Sequence, residues 1–524
     1  MKKISLQILF LFSSLFSWSQ KTTIKWGEEN KKDVLFGSLI NCNGSSIIKL
    51  CFDKKLVKNV KTPVLTSYNE KLEIQAEKVI NVNETGSVYN NLLSVKGKPF
   101  LITSRLDKAT NAITYFAQAI NIQTLDMQGD IINLGGESLI KSPEFQFSFD
   151  SSKILMIGKA QTKEGGNAKY YVNVLDKNMQ KLWSTDIELP YASKNIIIQN
   201  IFLTNIDELG FIIRHYNEQV SEAWIIEQEN FGQKVPEYEM KLLLYNKENK
   251  KPAECSLDLE DKFIHSVQIM DDNPENITLF ELYKQKVVAG CITGFVTATV
   301  NKKTFKVKLS TPTQFPQDLL VLVNKDKQAR DNAKDPGLTP AFKIVGMVER
   351  VNGSKDFVLE YNLDYCLTEY HSSIPETMRY TMGGTTHCTC YTGDIIDINI
   401  AKDGKAICSR IPKLQLEGSS RWYSSFKMLP YEDKLLIFYN DDPDNANKDI
   451  NKKPDDVKGF TKCSFVMACI DKEGKVTRQI LFNAKDNNII PAINISAQPD
   501  KNRILLYGFT VPPVSDRIGI LTIQ

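Results

Sequence analysis

The stretch Ile470-Asp471-Lys472-Glu473-Gly474-Lys475 places an Asp-led turn directly behind an apolar strand, and the same pattern returns along the chain. Phe52-Asp53-Lys54-Lys55, Leu125-Asp126-Met127-Gln128-Gly129, Leu175-Asp176-Lys177-Asn178, Tyr245-Asn246-Lys247-Glu248-Asn249, Val300-Asn301-Lys302-Lys303 and Lys402-Asp403-Gly404-Lys405 all share it. Asp, Asn and Gly favour any tight turn, so a set of unrelated hairpins would use the same residues. Recurrence at periods of tens of residues points instead to a repeat fold, and strand-turn-strand units point to propeller blades. The expectation is an all-β chain forming a β-propeller of seven blades, or eight if the C-terminal strands make a blade of their own.

Working outward from the turns, short apolar runs dominate. Lys153-Ile154-Leu155-Met156-Ile157, Leu435-Leu436-Ile437-Phe438-Tyr439 and Arg503-Ile504-Leu505-Leu506-Tyr507 are rich in β-branched and aromatic residues and are bounded by Asp, Asn and Gly, which reads as strand and turn. Gly404 and Gly474 suit hairpins because glycine accepts a positive φ. Counted from the Asp or Asn of each motif, the copies lie 73, 50, 70, 55, 102 and 68 residues apart. A four-stranded blade needs about 40 to 50 residues, so long loops are expected. Strands near 502–508 and 516–523 are expected to pair with the first strands after residue 33 and close the ring, removing exposed edges.

The interval of 102 carries two insertions. Residues 316–334 hold Leu319, Leu320, Leu322 and Val323 near helical spacing before Asp335-Pro336-Gly337, which predicts a short helix against the ring. Residues 367–393, rich in Thr, Gly and Tyr, read as a long loop, where functional residues on rigid scaffolds concentrate.

The first nineteen residues have the form of an export signal: Lys2 and Lys3, an apolar run from Ile4 to Phe16, then Ser17 and Ser19. That run is short for a membrane span, which needs roughly 20 apolar residues. The mature chain would begin at Gln20 as a single domain, 20–524, in the periplasm or outside the cell. Loss of Lys2 and Lys3 takes the formal charge from +3 to +1. A near-neutral, interspersed charge argues against nucleic acid as partner. Ten cysteines in 524 residues are too sparse for a disulfide-stapled miniature, and most should be small buried apolar side chains with one or two bridges.

The run Phe147-Ser148-Phe149-Asp150-Ser151-Ser152-Lys153-Ile154-Leu155 resembles the Phe-Ser-x-Asp-x-x-Lys-Ile-Leu hairpin of TolB-type propellers, departing from it at Phe149 and Ser151. Ile411-Pro412-Lys413-Leu414-Gln415, Tyr423-Ser424-Ser425-Phe426, Leu435 to Asp441, and Val351-Asn352-Gly353-Ser354 leading to Leu359-Glu360-Tyr361 resemble a family of exported, WD-like bacterial propeller proteins. The resemblance implies fold and export, and no activity.

Candidate chemistry is sparse. His371, His387, Cys388 and Cys390 offer the ligand types of zinc, although neighbouring His387 and Cys388 do not match a known module and Cys366 competes to pair with Cys388 or Cys390. Asp441, Asp442 and Asp444 offer oxygens to calcium, without the glycine and bidentate Glu of an EF-hand; no other cofactor is expected. Trp183, Trp224 and Trp422, the last beside Arg421, could line a peptide- or glycan-binding face, as aromatic planes cover apolar ligand surfaces. No Gly-x-Ser-x-Gly elbow or phosphate-binding loop is present. The leading expectation is a binding or scaffold module presenting loops to a protein, peptide or glycan. The alternative is a carbohydrate-active hydrolase or lyase with close carboxylates in the central channel.

Overall fold

The computed structural model describes residues 22–30, 34–42, 46–53, 62–82, 86–137, 139–140, 142–163, 165–230, 233, 235–247, 251–259, 261–271, 274–285, 290–323, 337–369, 385–418, 421–457 and 459–523. Its strands form eight antiparallel sheets in chain order, each a four-stranded meander with occasional short additions. We number them as blades: blade 1 (34–79), blade 2 (88–135), blade 3 (144–192), blade 4 (196–256), blade 5 (262–314), blade 6 (342–418), blade 7 (426–483) and blade 8 (490–523 with Thr22–Trp26).

Alternation along the strands explains how the blades stack. In Lys153–Lys159, Ile154 and Met156 pack toward blade 2 while Leu155 and Ile157 pack toward blade 4. Leu435, Ile437 and Tyr439 likewise face blade 6, and Leu436 and Phe438 face blade 8. Successive side chains point to opposite faces of a sheet, and here both faces are covered, so the strands read as continuous apolar runs rather than alternating ones. One buried cluster spans each neighbouring pair of blades from 1–2 through 7–8. An eighth, in which Leu39, Ile47 and Tyr68 meet Leu505, Tyr507 and Ile518, joins blade 8 to blade 1. Eight blades with eight shared cores make a closed ring.

Blade 8 is completed by the other end of the chain. Thr22–Trp26 pairs antiparallel with Asp516–Ile523, from Thr22 opposite Ile523 to Trp26 opposite Gly519. This corrects the expected closure by strands after residue 33: that region opens blade 1, and the closing strand lies upstream of it. A buried ion pair fastens the seam, Lys49 Nζ to Asp516 Oδ1 at 2.5 Å. The Tyr507 hydroxyl donates to the other oxygen of Asp516 at 2.7 Å.

Six of the seven motif copies fall where the third strand of a blade meets the fourth. There the Asx side chain accepts backbone amides: Asp176 from Asn178 and Gln180, Asn301 from Lys303 and Thr304, Asp403 from Lys405, Asp471 from Glu473 and Lys475. In blade 2 the bonding residue is Asn121 rather than Asp126. The copy at Asp53 instead ends the second strand of blade 1, whose third-to-fourth turn is built on Asn69. Blades 1–7 thus each have one such turn. Blade 8 has none, because its third and fourth strands come from opposite ends of the chain, so seven turns serve eight blades.

The meander also sorts the connections. Those joining strands one to two and three to four open on one face of the ring and are mostly tight turns; we call this the turn face. Those joining strands two to three, and one blade to the next, open on the opposite, loop face. The loop face carries helix α1 (Glu222–Asn230), helix α2 (Gln317–Val323) and the 3-10 turn Pro443–Asn447. Helix α2 matches the expected insertion, with Leu319 and Leu320 buried between blades 5 and 6. The expected loop 367–393 is corrected in part: strands Lys355–Glu369 and Thr385–Ile400 run through its ends, and 370–384 lie outside the described residues. Thr and Tyr, read as loop residues, are good strand formers. The proposed signal segment, 1–19, also lies outside the described residues. No helix among the described residues is long and apolar enough to cross a membrane.

Candidate functional site

On the loop face of blade 6 a bulge opens the sheet. Pairing between the second and third strands slips between Glu360 and Asn362, which leaves Tyr361 out of register opposite Gly393. A Cβ at Gly393 would stand 3.0 Å from the Tyr361 ring, so only glycine leaves the ring its place. Beside it lies a pocket of about 250 Å³ with Tyr361, Tyr391 and Phe342 as aromatic walls and Leu322 and Val323 of helix α2 along one side. Arg410, Asp394 and Lys413 form its polar floor. Arg410 donates from Nε to Asp394 at 2.7 Å and from Nη1 to the Ile450 carbonyl at 3.0 Å. Burial pushes the Asp394 carboxyl above its usual range, against the pull of Arg410. The Thr339 hydroxyl, also lining the pocket, is buried without a partner among the described residues. Aromatic planes around fixed hydrogen-bonding groups are the composition of ligand pockets.

Behind the floor, a buried polar network locks the loops of blades 6, 7 and 8 together. Lys413 Nζ lies 2.5 Å from Glu360 and 2.9 Å from Gln415 Oε1. Gln415 accepts from Thr392 and Ser425 and donates to the Asn440 carbonyl at 2.6 Å. Asn440 Nδ2 bridges the carbonyls of Tyr423 and Pro491. The Glu417 carboxylate accepts three successive amides, of Trp422, Tyr423 and Ser424. The residues that carry the family resemblance, Glu360, Lys413, Gln415, Tyr423 to Ser425 and Asn440, therefore meet in one place.

The other sequence candidates are dispersed. His371 is outside the described residues; His387, Cys388 and Cys390 lie on the strand Thr385–Ile400. Cys388 is disulfide-bonded, with Cys366 directly across the ladder. A disulfide sulfur supplies no thiolate to a metal, which removes Cys388 from the proposed ligand set. Cys390 is a buried free thiol whose pKa burial raises. Asp441 is buried, accepts from Asn445 Nδ2 and the Asp442 amide, and is pushed up to about 6 by burial. Asp442 caps the 3-10 turn by accepting the Asp444 amide. Among the described residues no three His, Cys, Asp or Glu converge as a metal-holding group.

Trp422 is half-buried and stacks on Phe509 at 5.2 Å and 8°; Arg421 reaches Asp364. Trp183 is half-buried between blades 3 and 4. Trp224 on helix α1 is the exposed one, at 43%. A close carboxylate pair exists in Asp356 and Asp397, but both are sealed within blade 6. Arg350 grips Asp356 with two bonds of 2.7 Å. Burial, then the neighbouring Asp356, drive the Asp397 carboxyl well above its usual value. No substrate reaches this pair. A wider depression of about 800 Å³, by Val351, Glu432 and Lys501, lies on the turn face and lacks the aromatic walls of the blade 6 pocket except for Tyr431.

No family model and no curated protein sequence matches the chain. Among solved structures it is similar to the β-propeller domain of the Trilobed protease from Pyrococcus furiosus, at 9% identity and a TM-score of 0.32, covering 72% of this chain and 92% of that one. It is similar also to the WD40 domain of SCAP from fission yeast, at 9% identity and a TM-score of 0.36, covering 96% and 94%. With prolyl oligopeptidase B from Galerina marginata the identity is 7% and the TM-score 0.37, and the chain spans 56% of that protein's length.

Proposed function

We propose that this protein is an exported binding module whose rigid ring presents its loop face to a protein, peptide or glycan partner in the periplasm or outside the cell. The observation that carries the reading is the blade 6 pocket: two tyrosines and a phenylalanine stand around Arg410 and Asp394, with helix α2 as a rim. Its walls are braced from behind by the Glu360–Lys413–Gln415 network, so the pocket is pre-formed and a partner need not order it on binding. The asymmetry between tight turns on one face and long insertions on the other supports the same side, since recognition concentrates in loops held by a scaffold. The export signal read from residues 1–19 supplies the compartment.

The test is to pan the purified chain against a peptide library and a glycan array, then to measure the selected ligands on the Tyr361→Ala/Tyr391→Ala double variant. Loss of about tenfold or more in affinity is expected, because buried aromatic anchors dominate binding energy. A turn-face control, Lys472→Ala, should leave affinity unchanged. Ligands that ignore the tyrosines and respond to Lys472 would refute the assignment.

A further inference from the structure

A second cluster lies at the loop-face end of blades 4, 5 and 6. Arg214 stands near the end of the second strand of blade 4, and Lys284 near the end of the second strand of blade 5. His265 and Lys343 lie near the starts of the first strands of blades 5 and 6. Helix α1 lowers Glu229 among them. Its Oε2 lies 3.1 Å from Arg214 Nη1, and its Oε1 lies 3.2 Å from Lys284 Nζ and 3.6 Å from His265 Nδ1. Arg214 Nη2 donates to the His265 carbonyl at 2.5 Å.

The charges in this cluster do not balance. Among the described residues Glu229 is the single carboxylate set against Arg214, Lys284 and Lys343; burial pushes its pKa up, but Arg214, first among its neighbours, holds it ionised well below its usual value. His265 contributes no charge, since burial, reinforced by Lys284, lowers its pKa to about 3. Lys284 and Lys343 are both pulled below their usual values, chiefly by burial. After burial, Glu229 favours the charged form of Lys343 while the like charges of Arg214 and Lys284 oppose it, and its ammonium makes no ion pair or hydrogen bond among the described residues. Arg214 Nε, almost fully buried, also lacks an acceptor among the described residues. Uncompensated charge in a low-dielectric site is costly unless a partner neutralises it. Two positive charges in excess, with the unfilled Arg214 Nε beside them, are the electrostatic complement of an anion. Lys284 keeps 12% exposure, so the site opens to solvent.

We propose that the loop-face mouth of the ring binds an oxyanion, a carboxylate or phosphate group, between Lys284 and Lys343. The ligand balances the cation excess around Glu229 and ties blades 4, 5 and 6 together at their loop-face ends. The site is distinct from the blade 6 pocket and stands whether or not that pocket takes a partner.

Thermal unfolding of the full chain near pH 7, at constant ionic strength, tests it with chloride exchanged for inorganic phosphate or acetate. A rise in Tm of several degrees over chloride is expected. A response to phosphate alone marks a phosphate group as the ligand; a response to acetate as well marks a carboxylate. Lys343→Gln should stay folded in chloride with Tm at or above that of the wild type, since a buried charge is gone, and should lose the anion response; Lys343→Arg should retain it. In the wild type, phosphate should slow modification of Lys343 by an amine-reactive reagent at least tenfold, which keeps the test open if a variant fails to fold. Equal Tm and equal labelling in all three anions would overturn the proposal, as would an anion response that survives Lys343→Gln.

Discussion

Glu281 shows how a single buried residue contributes to the pH dependence of the ring's stability. It lies on the second strand of blade 5, fully buried, with neither carboxyl oxygen bonded to a described partner. Burial, with a smaller push from Asp258, raises its pKa to about 8. In the unfolded chain it returns to the ordinary value of 4.5. Between those limits unfolding releases a proton, so stability falls as pH rises through the window and levels off above the folded value. The loss from this group is on the order of 4 kcal/mol between about pH 5 and pH 8. Glu281→Gln and Glu281→Leu should flatten the slope by that amount and melt above the wild type near pH 8. Denaturant titrations at several pH values check this; a slope unchanged in both variants would show that Glu281 does not carry it.

At the scale of elements, the turns from third to fourth strand combine backbone strain with side-chain burial. Glycine takes the positive φ at Gly404 and Gly474, but Leu72, Leu125 and Met179 adopt it elsewhere, at 66°, 58° and 63°. Each of these three side chains is buried in the core shared with a neighbouring blade. A left-handed non-glycine residue costs about 1–3 kcal/mol, and deleting a large buried side chain costs about 2–5 kcal/mol. Met179→Gly should therefore destabilise the protein by about 2 kcal/mol despite relieving the backbone, measured as the fall in denaturant midpoint. A stabilised variant would mean that strain outweighs packing.

These turns also show what the sequence made legible. The runs at 153–157, 435–439 and 503–507 could be read as strands because burial on both sheet faces leaves an unbroken apolar signature. Leu72, Leu125 and Met179 gave no sign of their φ, which tertiary packing imposes. Helix α1 went unread because Trp224, Ile225 and Ile226 are consecutive rather than spaced at helical period. At the candidate site, Lys413 and Gln415 were marked by resemblance. Arg410 and Tyr391 were not, since a tyrosine or arginine in a strand looks the same whether it lines a pocket or faces solvent.

At the scale of the whole molecule, both ends of the chain close the ring. Seven turn motifs pointed to seven blades, or to eight if the C-terminal strands made their own, and they do; blade 8 carries no such motif because the two ends of the chain take the place of its turn. The network behind the blade 6 pocket leans on that closure: blade 8 holds Pro491, which Asn440 binds, and Phe509, on which Trp422 stacks. The most direct test is amide hydrogen exchange over residues 22–26. In the closed ring, the amides of Thr22–Trp26 that face Asp516–Ile523 exchange as slowly as those of the C-terminal strand itself, with protection lost from both only on global unfolding. Exchange of 22–26 at the rate of a free tail, beside a protected 516–523, would contradict the closed eight-bladed ring.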